Sequence, residues 1–389
     1  MSAALSHLRV IDLTTNLSGP YCAMMLADQG ADVIKVERTG EGDVMRRTPP
    51  FIEGESAPFM LWNRNKRSIE LDLKNPDQLA VCRDLAASAD VFIENFRPGV
   101  AERLGLGYEA LSAINPRLVY CSISGFGQTG PYSRRGGFDL IAQAMSGLMS
   151  VSGDEDGPPH RLAVPISDTS AGMFAAFGIL TAIAARERTG KGQQVDVSLL
   201  ESAMSKSVYE LAGYFATGER PARLGQQHRG SSPYQVFQTR DGWLVLGAAA
   251  ENLWRRACEV LDCMHLIDDP RFVTRADRVR NNKALVALLQ ARFAERTTDE
   301  WFSLLDAAAI PCGPVMHHDE ILRDPHVLSR DMVVEVDHPR AGRQRTVGTP
   351  VKLSGTPGGV RRPAPLLGEH TAEILAELGR GPRPDEAAD

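Results

Sequence analysis

The 389 residues contain no Cys-x-x-Cys pair, no zinc-spaced set of His and Cys, and no excess of positive charge. The cysteines Cys22, Cys82, Cys121, Cys258, Cys263 and Cys312 are scattered, and a chain this long needs no disulfide staples. Reduced, mostly buried thiols and a cytoplasmic location are therefore expected. With 43 Lys and Arg against 49 Asp and Glu, the formal net charge is -6. No global basic field results, and nucleic acid is not expected as a partner. Any anionic ligand must be held by a few locally placed cations. The N-terminus, MSAALSHLRV, lacks the basic start and apolar core of a secretory signal. The most apolar run, residues 171–185 (AGMFAAFGILTAIAA), is shorter than the ~20 residues a bilayer requires, so it reads as a buried helix with no membrane partner.

What remains is an ordinary globular composition, 43% hydrophobic and 24% charged, which excludes wholesale disorder and leaves room for two domains. The first third alternates strand and helix. Residues 8–13 (LRVIDL) read as a strand, Gly19-Pro20 breaks it, residues 21–28 are helix-like, and residues 31–36 (ADVIKV) form the next strand. Such a βαβ unit implies a parallel sheet with right-handed crossovers. A helix near residues 75–88 and strands at 91–94, 118–124 and 193–197 continue the pattern, with a helix from Leu199 onward. The polar, turn-rich stretch 218–232 reads as a linker. Arg240-Asp241-Gly242 between two β-rich runs signals a hairpin. The division expected is a large Rossmann-like domain from residues 1–217, the linker, a small α+β domain over 233–324, a return segment over 325–380 and a frayed tail over 381–389.

Gly125-Phe126-Gly127-Gln128-Thr129-Gly130 matches G-x-G-x-x-G, but Pro131 follows and no helix opens there, so a dinucleotide fingerprint is not the expectation. A glycine loop beside a ligand fits better, because glycine lets backbone approach closely. Asp168 stands at a predicted strand–helix joint. There a carboxylate either caps the helix or, ionised at a sheet's ligand-binding edge, takes part in chemistry. Arg38, Lys74, Arg97 and Arg103 fall at the ends of successive βα units, where together they could hold a polyphosphate. His317-His318 lacks a third ligand nearby, and no metal site is expected.

Several of these blocks occur in an order that resembles CoA-transferase family III, the CaiB–BaiF group. They are Gly30-Ala31-Asp32-Val33-Ile34-Lys35-Val36-Glu37, Asn65-Lys66-Arg67-Ser68, Glu94-Asn95-Phe96-Arg97-Pro98-Gly99, Gly137-Phe138-Asp139, and Asp168 with Gly172. The resemblance implies an α/β fold in which a Rossmann-like large domain with a parallel sheet carries a smaller inserted α+β domain, in an intertwined, ring-like homodimer. It makes Asp168 the nucleophile and matches Arg38, Leu71, Lys74, Asn95, Phe96, Arg103 and Leu104 to CoA-contacting positions. Leu17, Gly125, Gly127 and Phe138 become substrate-side candidates.

The activity implied is transfer of CoA from an acyl-CoA, succinyl-CoA by family habit, to a small carboxylic or dicarboxylic acid. Coenzyme A enters as substrate, with no tightly bound cofactor and no metal. Backbone amides at the helix start and in the Gly125–Gly130 loop are the candidate oxyanion donors. Leu17 replaces a polar Gln of the formyl-CoA:oxalate members, and their glycine-rich lid is missing, with Ser231-Ser232-Pro233-Tyr234 nearby; both departures count against oxalate as acceptor. The alternatives are a 2-methylacyl-CoA racemase or epimerase on the same fold and a non-catalytic nucleotide-binding protein. Racemases carry a histidine where Phe138 stands, and packing is the role expected of that ring.

Overall fold

The computed structural model describes residues 2–380; the expected tail, 381–389, lies outside them. The chain begins with strand β1 (Arg9–Asp12), helix α1 (Ser18–Asp28) and strand β2 (Asp32–Glu37). Helix α2 (Ala57–Trp62), strand β3 (Lys66–Glu70), helix α3 (Pro76–Ala87) and strand β4 (Val91–Glu94) follow. Helices α4 (Val100–Arg103) and α5 (Tyr108–Ile114) lead to strand β5 (Val119–Ser124). Then come α6 (Asp139–Met145), α7 (Ile166–Thr189), strand β6 (Gln194–Ser198) and α8 (Leu199–Met204). The six strands pair in parallel in the order β3-β2-β1-β4-β5-β6. This is the doubly wound arrangement, and its direction reverses between β1 and β4.

Alternation along each strand builds two apolar layers. Val10, Val33, Ile93 and Val119 face α1 and α7, where Cys22, Leu26, Ala171, Ala175 and Ile179 meet them. Ile11, Ile34, Ile69, Phe92 and Tyr120 face the other way, toward Val81 and Leu85 of α3 and Leu111 of α5. The apolar run 171–185 lies inside α7, whose length and composition would suffice for a membrane span; Ala171, Ala175, Ile179 and Ala182 are buried in the first layer. Helix starts follow local chemistry. Asn75 accepts from the Asp77 and Gln78 amides ahead of Pro76, and Ser56 accepts from Phe59 ahead of Pro58.

Strand β3 has no counterpart in the sequence expectation, because its KRSIE sequence is charged. Its polar side chains are buried on partners. Lys66 Nζ donates to Asp12 at 2.9 Å, Arg67 reaches Asp32 and Glu377 at 2.6 Å, and the Ser68 hydroxyl donates to Glu37 at 2.7 Å.

The described chain separates into two compact units, one of residues up to 148, 162–206 and from 325 on, the other of residues 149–161 and 207–324. In the first unit the late segment adds the antiparallel pair β10 (Val333–His338) and β11 (Gly342–Val347), whose labels leave β7–β9 to the second unit. It then runs back along the sheet, where the His370 amide donates to the Ser68 carbonyl at 3.0 Å. The second unit holds helix α9 (Val208–Thr217) and the strands β7 (Tyr234–Gln238), β8 (Trp243–Gly247) and β9 (Cys312–Pro314), antiparallel in the order β9-β8-β7. Phe237 stacks on Phe293 with centroids 4.6 Å apart, in a core shared with Trp254 and Trp301. Every cysteine is an unpaired thiol, and all but Cys312 are buried.

Candidate active site

Helix α7 begins at Ile166 with Pro165 in the capping position, and Pro165 supplies no side-chain cap. Asp139, the first residue of α6, performs that task. Its Oδ1 accepts from the Ser167 amide at 2.8 Å and the Asp168 amide at 3.3 Å. Gln143 steadies Asp139 by donating to Oδ2 at 2.6 Å while accepting from the Leu162 amide at 2.9 Å. Asp168 is therefore not the cap, and it does not follow a strand. Residues 162–165 are irregular, and Pro165, which has no amide to give a ladder, closes them.

With the capping done by another residue, the Asp168 carboxylate is left for other work. Burial, and then the neighbouring Asp139 charge, raise its pKa to about 7, against the Ser18 hydroxyl, which donates to the carboxylate. The approach to Ser18 depends on Gly172. A Cβ there would lie 2.6 Å from the Ser18 carbonyl oxygen and 3.0 Å from the Tyr21 ring. Residues four apart share a helix face, so the crossing at Gly172 carries Asp168 to the first turn of α1.

At the point where the sheet reverses, the ends of β1 and β4 are tied together. Asn95 accepts from the Thr15 amide at 3.0 Å and donates to the Thr15 carbonyl at 2.8 Å. Beside this tie lies a cavity of about 430 Å³ lined by Arg38, Leu71, Lys74, Phe96 and Leu104, among others. Five of the seven expected CoA-contacting residues are thus brought together. Asn95 and Arg103 are not among its lining residues. Asn95 fixes the loop after β1, and Arg103 is exposed, its guanidinium beside Gly99. Arg38 is also exposed, 3.1 Å from Glu41. Leu17 is half-buried in the capping position of α1.

Buried charges set the floor of this cavity. Lys35 Nζ lies 2.9 Å from Asp43 and donates to the Thr14 carbonyl at 2.7 Å, with both charged side chains fully buried. Asp43 also accepts from the Asn16 amide at 3.2 Å. Burial opposes the Lys35 charge, but the Asp43, Asp12 and Glu37 carboxylates outweigh it and hold its pKa above the ordinary lysine value. Glu37 in turn receives a bidentate Arg46, both contacts at 2.7 Å.

The glycine loop is a packing device. A Cβ on Gly125 would lie 2.7 Å from the Gly137 Cα, so the two backbones cross where no side chain fits. The Gly127 amide donates to the Ser124 hydroxyl at 2.9 Å and the Gln128 amide to Asp196 at 3.0 Å. Together with the Ser167 and Asp168 amides taken by Asp139, these bonds engage part of the amide set expected to stabilise an oxyanion. The Phe138 ring does not pack either. It is 68% exposed, because the extended backbone at the head of α6 turns it outward as Asp139 turns toward α7. Asp139 and Ser18 escaped the sequence reading. The available signal was an acid opening a helix within the Gly137-Phe138-Asp139 block, but its partner lies 29 residues away.

Residues 5–371 match the model of CoA-transferase family III. Succinyl-CoA:glutarate CoA-transferase of Mus musculus is 43% identical across 97% of this chain and 86% of its own length. Acetyl-CoA:oxalate CoA-transferase of Acetobacter aceti is 41% identical across 95% of each. Among solved structures, a CAIB/BAIF family protein from Brucella suis superposes with a TM-score of 0.87 at 36% identity, over 97% of this chain and all of that one. A match of this extent, over a parallel sheet with Asp168 held at the start of α7, has one meaning: the chain belongs to CoA-transferase family III.

Proposed function

We propose that this CoA-transferase moves CoA from an acyl-CoA, with succinyl-CoA as the expected donor, to a small carboxylic or dicarboxylic acid through a thioester on Asp168. The observation that carries the proposal is the Asp139–Asp168 arrangement, in which one acid caps the helix and leaves the other free with raised proton affinity.

The Asp168 carboxylate attacks the donor's thioester carbon; a C–O bond forms, the C–S bond breaks, and CoA leaves as thiolate. The thiolate attacks the Asp168 carbonyl of the mixed anhydride, forming a C–S bond and releasing the donor acid as carboxylate. The acceptor carboxylate then attacks the aspartyl thioester, and the thiolate returns to the acceptor's acyl carbon and frees Asp168. One thioester replaces another, so the exchange is nearly isoergic and divides a hard transfer into smaller steps. Arg38 and Lys74 at the cavity suit the phosphates of CoA, and Leu71, Phe96 and Leu104 suit its apolar portions. The Ser18 hydroxyl, which donates to the resting carboxylate, is placed to steady the charge that develops there.

A racemase needs a base on each face of the α-carbon, and Phe138 cannot accept a proton. The two relatives named above differ in donor and acceptor, so the acceptor of this chain is a matter for measurement. Incubation with succinyl-CoA and a panel of mono- and dicarboxylates, with thioesters read by mass spectrometry, tests the function. New acyl-CoA species with release of succinate support it; CoA hydrolysis alone, or no reaction with any acid, contradicts it.

A homodimer and a cytoplasmic setting belong to the same proposal. In support of the first, Met173 and Phe177 of α7 are 51% and 70% exposed. Met173 also borders an apolar groove of about 550 Å³ with Met24, Met25, Leu180 and Leu353, a surface that calls for a cover of matching character. The unpaired thiols agree with the second.

A further inference from the structure

Glu94 closes β4 as a buried acid, 3% exposed, on the same sheet face as Phe92 two residues before it. The parallel register places it opposite Ser122 of β5, which in turn stands opposite Asp196 of β6. Burial, and then the Glu102 and Asp196 charges, raise the pKa of Glu94 to about 7, against the Ser122 hydroxyl and the Phe96 amide, which both donate to it. A buried acid is costly unless its oxygens are hydrogen-bonded, and here the donors come from the neighbouring strand and from the chain that follows.

The second of these donors reaches the cavity beside β1 and β4. Glu94 Oε2 accepts from the Phe96 amide at 2.8 Å, two residues on. A backbone amide just past a strand end has left the ladder, and the carboxyl replaces the acceptor it has lost. Phe96 packs on the apolar layer that includes Phe92 and lines the cavity with Leu71 and Leu104. Two consecutive side chains thus divide the loop between them. Asn95 ties it sideways to Thr15, and Glu94 fixes the backbone from which the Phe96 ring projects.

We propose that Glu94 is a positioning residue for acyl-CoA binding: by accepting the Phe96 amide it holds the Phe96 ring against the coenzyme. This rests on the reading of that cavity as the CoA site. Either protonation state of the acid keeps an oxygen for the amide, so the loop needs the acceptor and not the charge.

The dissociation constant of coenzyme A, measured by calorimetry on the full-length protein, is the test. Glu94→Gln keeps an acceptor and should bind within about twofold of the parent. Glu94→Leu removes it and should bind about tenfold more weakly, with kcat at saturating succinyl-CoA nearly kept. Ser122→Ala takes away the hydroxyl that steadies Glu94 and should lose about threefold. Phe96→Ala should lose about tenfold, and adding Glu94→Leu to it should cost less than about a further twofold, because the acid acts through the ring. Parent-like binding by Phe96→Ala would remove coenzyme A from the cavity and the proposal with it. With the Phe96→Ala loss intact, three results would overturn the role of Glu94 alone: parent-like binding by Glu94→Leu, a Glu94→Gln as weak as Glu94→Leu, or losses that multiply in the double variant. If Glu94→Leu does not fold, Ser122→Ala decides, and parent-like binding by it overturns the proposal.

Discussion

The Asp139 carboxylate accepts the backbone amide of Asp168 at 3.3 Å, so one acid holds the helix turn from which the other projects. Their charges are close enough that Asp139 raises the proton affinity of Asp168. The pair thus separates two tasks that a lone aspartate at a helix start would have to combine.

Attack on a thioester requires ionised Asp168. With its pKa raised to about 7, kcat/KM for acyl-CoA should rise with pH along a limb centred near that value. Asp139→Asn keeps an oxygen for the helix amides but removes the charge. Its ascending limb should move to lower pH in a profile recorded from pH 5 to 9. A limb that stays in place would mean that Asp139 does not tune the nucleophile.

Stability should divide between the same residues. Asp139→Ala removes a cap and should cost roughly 0.5–2 kcal/mol in chemical denaturation. Asp168→Asn should behave oppositely at alkaline pH. A carboxyl whose pKa is raised in the folded state contributes stability that is present below its ordinary value of 3.8 and is lost as pH rises through about 7. The variant should therefore gain on the parent at pH 8 and not at pH 4.

Arg38→Ala and Lys74→Ala should each raise KM for acyl-CoA about three- to tenfold with kcat nearly kept. Both side chains are exposed, which limits each contribution. Higher ionic strength should shrink the difference, since screening weakens exposed charge pairs. A fall in kcat with unchanged KM would remove them from the CoA site.

No deuterium should enter Cα when (R)- or (S)-2-methylacyl-CoA is incubated with the protein in heavy water, because Phe138 offers no base. A general base typically supplies roughly 10²–10⁴-fold in rate. Catalytic uptake that depends on Asp168 would favour the racemase reading.

The strands β1, β2, β4 and β5 and the βαβ order were legible in the sequence because local apolar runs and the turn residues between them carry them, whereas the role expected of Asp168 came from the family resemblance. Strand β3 was not, since Lys66, Arg67 and Ser68 read as solvent-facing until Asp12, Asp32 and Glu37 meet them in the fold. Charge buried through pairing leaves no hydrophobic period. Asp139 was hidden for a related reason: its role exists only when α6 docks against the start of α7. Asn95 was named from the family resemblance as a CoA contact, and its amide closing the backbone of Thr15 exists only once the ends of β1 and β4 meet.

The central claim is that Asp168 carries the acyl and CoA groups in turn. Hydroxylamine added during turnover with succinyl-CoA should convert that one side chain to a hydroxamate, found by peptide mass spectrometry on the fragment spanning Asp168. Without acyl-CoA the fragment should be unmodified, and Asp168→Ala should lose on the order of 10³-fold or more of its transfer rate. Transfer that proceeds with Asp168 unmodified, or a hydroxamate on another residue, would contradict the account.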